Sequence, residues 1–289
     1  MKHRFLAGMG LAATLLTGCA TGPERPEAAP STASLAPHDS LLGTLWVQSA
    51  AEYAALCEQA YAAATTRLDE ALADPTWTAA TEQGGRDLAD LPPAIVVDVD
   101  ETVLDNAPYQ ARLIAEGGSY DAATWASWVE EAQAEPVPGA LAFLQAAAER
   151  GVTVFYLTNR AAGLEAATRE NLAALGFPLA DGVDVLLLEG ERPDWTSAKT
   201  ARRAHVAQDH RVLFLCGDDL NDFTSGYKIG DPAQRRALVT EHAGRFGREW
   251  ILLPNPVYGS WEASLYARDY ALDPAERRER MHRHLRLKR

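Results

Sequence analysis

From about residue 90 onward, wholly apolar runs alternate with amphipathic stretches. Ala94-Ile95-Val96-Val97 is uninterrupted by any polar residue, as expected of a strand covered on both faces. Residues 152–157, 183–188 and 212–216 are similar runs, broken only by Thr153 and Asp184, and 250–253 form a shorter last run. Helical periodicity fills the gaps, over 138–150, 163–175 and 196–207. Strand and helix in alternation predict an α/β fold, a parallel sheet flanked by helices. Ahead of the first strand, Trp46, Ala50, Tyr53, Cys57, Tyr61, Ala64, Leu68 and Leu72 recur three and four apart. That stripe predicts one long helix from about Leu42 to Leu72, closed by Asp74-Pro75, with Trp46, Tyr53 and Cys57 as core residues. Residues 106–138 break the alternation. They hold Pro108, Tyr109, Gly117-Gly118, Tyr120, Trp125 and Trp128, an aromatic density that suggests a small helical cap. Residues 271–289 are Arg-rich and read as a basic, solvated C-terminal helix.

The N-terminus has its own pattern. Met1-Lys2-His3-Arg4 is basic, Phe5 to Leu16 is an apolar stretch too short to span a bilayer, and Leu16-Thr17-Gly18-Cys19 follows. The ending resembles a bacterial lipobox. It implies a signal peptide over 1–18 and a lipid anchor on Cys19. Ala20, rather than Asp, follows that cysteine, which points to the outer membrane and a periplasmic or surface-exposed domain. Residues 19–40, rich in Pro, Ala, Ser and Thr, read as a disordered tether.

Charge narrows the function. Twenty-seven Lys and Arg against 40 Asp and Glu in 289 residues give −13, the wrong sign for a nucleic-acid polymer binder. A small anionic substrate is compatible, because a bound metal inverts the local potential. Three cysteines make no disulfide framework.

The first strand run ends in Asp98 and Asp100, at the sheet edge where open α/β folds bind ligands. Two close carboxylates repel, and a hard divalent cation such as Mg2+ resolves the conflict. An isolated D-x-D is more often a turn. Here Asp98-Val99-Asp100-Glu101-Thr102 resembles motif one of the haloacid dehalogenase superfamily. The resemblance implies that Asp98 attacks phosphorus, while Asp100 protonates the leaving group and then activates water. It matches Thr158 to the hydroxyl that binds phosphoryl oxygens. It matches Lys199 to the lysine that neutralises the transferring group; Arg202 and Arg203 are neighbours that could share the role. Thr196 stands where close relatives often carry a second lysine. Gly217-Asp218-Asp219-Leu220-Asn221-Asp222 matches motif four: Asp218 would bind the cation, and Asp222 would orient water or Lys199 from outside the coordination sphere. Asp219 replaces an expected Asn, leaving its role open.

The lipobox, residues 46–53, residues 98–106 and Pro254-Asn255-Pro256-Val257-Tyr258-Gly259-Ser260-Trp261-Glu262 together resemble the class C acid phosphatases, the outer-membrane lipoprotein 5'-nucleotidases. The resemblance implies a Rossmann-like core over 90–105 and 139–270. It implies a helical cap from the N-terminal helices, 41–75, and the insert 106–138. Mg2+ would be held by Asp98, the Asp100 carbonyl and Asp218. The substrate would be a small phosphomonoester, a nucleoside monophosphate or nicotinamide mononucleotide, contacted by Asn159, Arg160 and Tyr258. Stacking of a base on Tyr258 would be worth ~1–3 kcal/mol. A homodimer is compatible with this reading. The rival expectations are a phosphatase for sugar phosphates or phosphotyrosine, and an inactive ligand-binding lipoprotein.

Overall fold

A computed structural model describes residues 37–287. The signal peptide, Cys19 and tether residues 19–36 lie outside the described residues. Helices α1 (Leu41–Ser49) and α2 (Ala51–Ala73) come first. The expected single helix is thus broken at Ala50, whose backbone is extended. Tertiary contact explains the break. α1 turns away to pack on the cap and on residues 256–257, and a Cβ on Gly43 would come within 2.8 Å of the Pro256 carbonyl oxygen. α2 keeps the predicted stripe: Tyr53, Cys57, Tyr61, Ala64 and Leu68 are all buried.

The chain then enters β1 (Pro93–Val97), the short β2 (Leu104–Asp105), cap helices α3 (Ala107–Glu116) and α4 (Ala122–Glu130), and β3 (Glu135–Pro136), which pairs antiparallel with β2. Next come α5 (Ala140–Ala148), β4 (Thr153–Ala161), α6 (Glu165–Leu175), β5 (Leu186–Glu189), α7 (Thr200–Asp209) and β6 (Arg211–Gly217). The last elements are α8 (Pro232–Glu241), β7 (Trp250–Leu252), α9 (Ser260–Leu265) and α10 (Pro274–His282). The main sheet is parallel in the order β5-β4-β1-β6-β7. The order reverses direction at β1, which places the ligand-binding crevice of an open α/β sheet at its C-terminal end. Ile95, Val96 and Val97 are buried, as a strand covered on both faces requires.

The block 41–75, expected to contribute to the cap, divides: α1 contacts α3, whereas α2 packs on α5 and β6 of the core. Within the cap insert, the Trp128 indole donates to Asn106 at 2.8 Å and Arg112 pairs bidentately with Glu131. Two boundaries differ from expectation at the ends. Residues 37–40 of the expected tether are packed: His38 bonds the Gly118 carbonyl at 3.0 Å, and Asp39 takes two bonds from Arg278. The C-terminal helix covers only 274–282, starting at the Asp273 cap. No helix among the described residues is long and apolar enough to cross a membrane.

Candidate active site

Three strand ends and one helix start bring the motif residues to one place. β1 delivers Asp98, anchored by its amide on the Cys216 carbonyl of β6 at 2.9 Å. β6 delivers Asp218. Lys199 sits at the N-cap of α7, not within a helix starting at 196 as the periodicity suggested, and its amide donates to Asn221 at 3.1 Å. A turn over 196–199 delays the helix and points the ammonium into the sheet edge. There Lys199 Nζ contacts Asp98 Oδ1 and donates to Asp222 Oδ1 at 2.6 Å. Gly217 is required for this packing, because a Cβ there would overlap the Asp222 carboxyl.

Carboxylate oxygens of Asp98, Asp218 and Asp222 all lie within 4.8 Å of one another. Burial pushes Asp98 up to about 7 despite the opposing pull of Lys199. Burial also raises Asp218, and the charges of Asp98 and Asp222 add to it. Burial works against the Lys199 ammonium, but Asp222 and Asp98 outweigh it and hold its proton affinity above the usual lysine range. Three carboxylates thus face one ammonium. The uncompensated negative charge and the all-oxygen donor set fit a hard divalent cation.

Asp100 is treated differently. Its Oδ1 accepts from Arg160 Nη2 at 2.8 Å, Arg160 Nε at 3.0 Å and Asn106 Nδ2 at 3.0 Å. Its Oδ2 accepts from the Thr158 hydroxyl at 3.1 Å. Arg160, expected to contact substrate, is therefore committed to Asp100, and its remaining nitrogen donates to Thr168. Asn159 is exposed and bridges Ser197 and Arg202. Arg202 and Arg203 are buried and do not reach the cleft: Arg202 braces the Thr158 carbonyl, and Arg203 braces the Asn221 carbonyl and Glu82.

Tyr258 lines the cleft, and its hydroxyl donates to Glu101. Glu101 is a buried residue with left-handed backbone (φ 57°), and burial raises its proton affinity. It also accepts the Asn106 amide at 3.0 Å. Asn255 donates to Asp218 at 2.7 Å while its carbonyl takes the amides of Val257 and Tyr258. Glu101, Asn106 and Asn255 were missed as site residues by sequence reasoning. The signal was their position inside the two segments that carry the resemblance. Asp219 caps the turn Leu220–Asp222 and takes two bonds from Ser260, so it latches the acidic loop to α9. Tyr53 and Trp46 pack edge to face in the core, and Tyr61 supports the first motif by donating to the Thr102 carbonyl at 2.7 Å.

A parallel sheet with this motif set at its switch point, beneath a small helical cap, defines a haloacid dehalogenase-type α/β protein. The chain belongs to the HAD superfamily, subfamily IIIB (acid phosphatase), whose family model matches residues 28–261. It is similar to the class C acid phosphatase from Bacillus anthracis, with 35% identity over 86% of this chain and 98% of that one, at a TM-score of 0.75. The same Bacillus protein with tungstate bound aligns at 34% identity, the same coverage and the same TM-score. Acid phosphatase 1 of Solanum lycopersicum is 30% identical over 167 residues, which is 56% of this chain and 57% of that protein. The chain therefore spans little more than half the length of that curated relative.

Proposed function

We propose that this protein is an Mg2+-dependent acid phosphatase that hydrolyses nucleoside monophosphates, nicotinamide mononucleotide included, through an aspartyl-phosphate. The observation that carries the reading is the Asp98–Asp218–Asp222 cluster closed by Lys199, on the floor of a cleft of about 1050 Å3 that it shares with Tyr258. A cleft of that size accommodates a nucleotide. Asp98 attacks phosphorus in line, a P–O bond forms, and the bond to the ribose oxygen breaks. Asp100 gives that oxygen its proton. In the second half Asp100 takes a proton from water, the water oxygen bonds phosphorus, and Asp98 is released. Lys199 and Thr158 stabilise the equatorial oxygens as charge shifts.

Asp98, the Asp100 backbone carbonyl and Asp218 would hold the Mg2+. When bound, the cation supplies Lewis-acid stabilisation of the phosphoryl oxygens. Asp222 keeps the ammonium of Lys199 aimed at Asp98. Because Asp100 must hold a proton when the ribose oxygen leaves, an acidic optimum is expected. Tyr258, tethered to Glu101, offers the aromatic surface for a base or nicotinamide ring. The lipobox ending at Cys19 supports a lipid-anchored outer-membrane scavenger, periplasmic or surface-exposed.

The test is phosphate release at mildly acidic pH from nucleoside monophosphates, nicotinamide mononucleotide and sugar phosphates, with chelator and Asp98→Asn as controls. Metal-dependent release from nucleotides is expected, and release from sugar phosphates alone would sink the nucleotide reading.

A further inference from the structure

Six cationic side chains line the cleft, and they divide into two groups. Arg160 is paired with Asp100, Lys199 with Asp98 and Asp222, and Arg278 with Asp39. Lys228, Arg268 and Arg277 have no carboxylate within 4.0 Å among the described residues. Lys228 is exposed and reaches only the Ser197 hydroxyl, at 3.2 Å. Arg268 Nη1 and Arg277 Nε are buried and lack any hydrogen-bond partner. The guanidinium carbons of Arg268 and Arg277 lie 5.8 and 4.9 Å from the rings of Tyr270 and Tyr266, which fixes the side chains without neutralising them. Arg268 also has left-handed backbone at φ 60°, next to Ala267 at 54°, an unfavourable pair for residues with a Cβ. Glu262 lines the same wall, but it lies beyond ion-pairing range of Arg277. In a chain of net charge −13, unpaired cations on one wall of the cleft are selectively placed. Guanidinium forks with unsatisfied donors are suited to phosphate.

We infer that Lys228, Arg268 and Arg277 form an anion subsite that takes a second phosphate of a substrate whose first phosphate sits at Asp98. This deepens the phosphatase reading above and rests on it. The preferred substrates are bisphosphorylated, and the subsite binds the phosphate that is not being hydrolysed. It acts through substrate affinity, because it lies away from the reacting bond.

Phosphate release is measured with the full chain for two pairs that differ by one phosphate. One pair is adenosine 5'-monophosphate and adenosine 3',5'-bisphosphate; the other is glucose 6-phosphate and glucose 1,6-bisphosphate. The doubly phosphorylated member of at least one pair is expected to have kcat/KM higher by about tenfold, through KM and beyond the statistical gain of a second ester. Arg268→Gln, Arg277→Gln and Lys228→Gln should each shrink that ratio toward one. Lys228 is exposed, so its variant carries the test if an arginine variant fails to fold. Equal kcat/KM within both pairs overturns the subsite, as does a preference that all three variants leave intact. A preference in the sugar pair with no release from either adenosine nucleotide upholds the subsite and fails the nucleotide reading. Brisk hydrolysis of adenosine monophosphate with no preference in either pair does the reverse.

Discussion

The floor of the cleft and its C-terminal wall handle charge in opposite ways. On the floor, Lys199 lies between Asp98 and Asp222, and Arg160 grips Asp100. On the wall, Lys228, Arg268 and Arg277 stand without carboxylate partners among the described residues. Location explains the difference. The floor is made of strand ends, where an unpaired charge is costly and every cation must be matched in advance. The wall is made of loops and a short helix at the cleft mouth, where Tyr270 and Tyr266 hold the two arginines by cation–π contact and leave Arg268 Nη1 and Arg277 Nε without a hydrogen bond. Floor substitutions should therefore act on turnover and stability, and wall substitutions on substrate affinity.

The sharpest break of this comparison is Asp98→Asn, which removes the oxygen proposed to attack phosphorus. Phosphate release should fall by about 10,000-fold or more, read in a steady-state assay, with no phosphoenzyme trapped on acid quench. Lys199→Met comes next. It leaves Asp98 and Asp222 facing each other without a cation, and loss of one member of a buried ion-pair set costs about 3–5 kcal/mol. Urea denaturation should show that loss, and a variant that denatures at the wild-type midpoint would contradict the floor's charge matching.

Arg160→Lys sharpens the distinction between holding Asp100 and holding substrate. The lysine keeps the charge but loses the fork. Turnover should drop about tenfold with KM nearly unchanged. A rise in KM alone would instead assign Arg160 to substrate.

Removing metal should expose the floor's uncompensated charge. Folding raises Asp98 to about 7 and raises Asp218 and Asp222 as well, mainly through burial. Between the unfolded carboxylate value, about 3.9, and these folded values, the native state binds more protons than the unfolded one. Stability then falls as pH rises through that window. With chelator, the melting temperature should decline from pH 4 to pH 7, and added Mg2+ should flatten the decline. A pH-independent melting temperature without metal would show that the cluster is already neutralised. The smallest effect is expected of Asp219→Ala, which removes a cap worth about 1 kcal/mol and should lower the melting temperature by about 2–4 °C.

Much of the fold was legible along the chain. Continuous Ile, Val and Leu runs marked β1, β4 and β6, and the residues just past them were the acids and hydroxyl of the site. The first helix was read as continuous because Ala50 and Ala51 are strong helix formers. Its break comes from the contact between Gly43 and Pro256, which no periodicity carries. Lys199 was found, but its N-cap position depends on the turn before it and on Asn221. Arg160 looked like a substrate ligand because it follows Thr158 at a strand end. Only the approach of β1 to β4 shows that its guanidinium is occupied by Asp100. Glu101 had no assigned role because its partner, Tyr258, lies 157 positions away.

The sequence by itself determined the alternation of elements, the order of the motifs and the chemical type of each site residue. These depend on side-chain identity and short-range period, which are local. Tertiary structure alone decided which cation meets which carboxylate, which arginines stay unpaired, and how residues 37–40 reach the cleft. Those outcomes rest on contacts between segments far apart in the chain, where burial and geometry choose among partners that are chemically equivalent in the sequence.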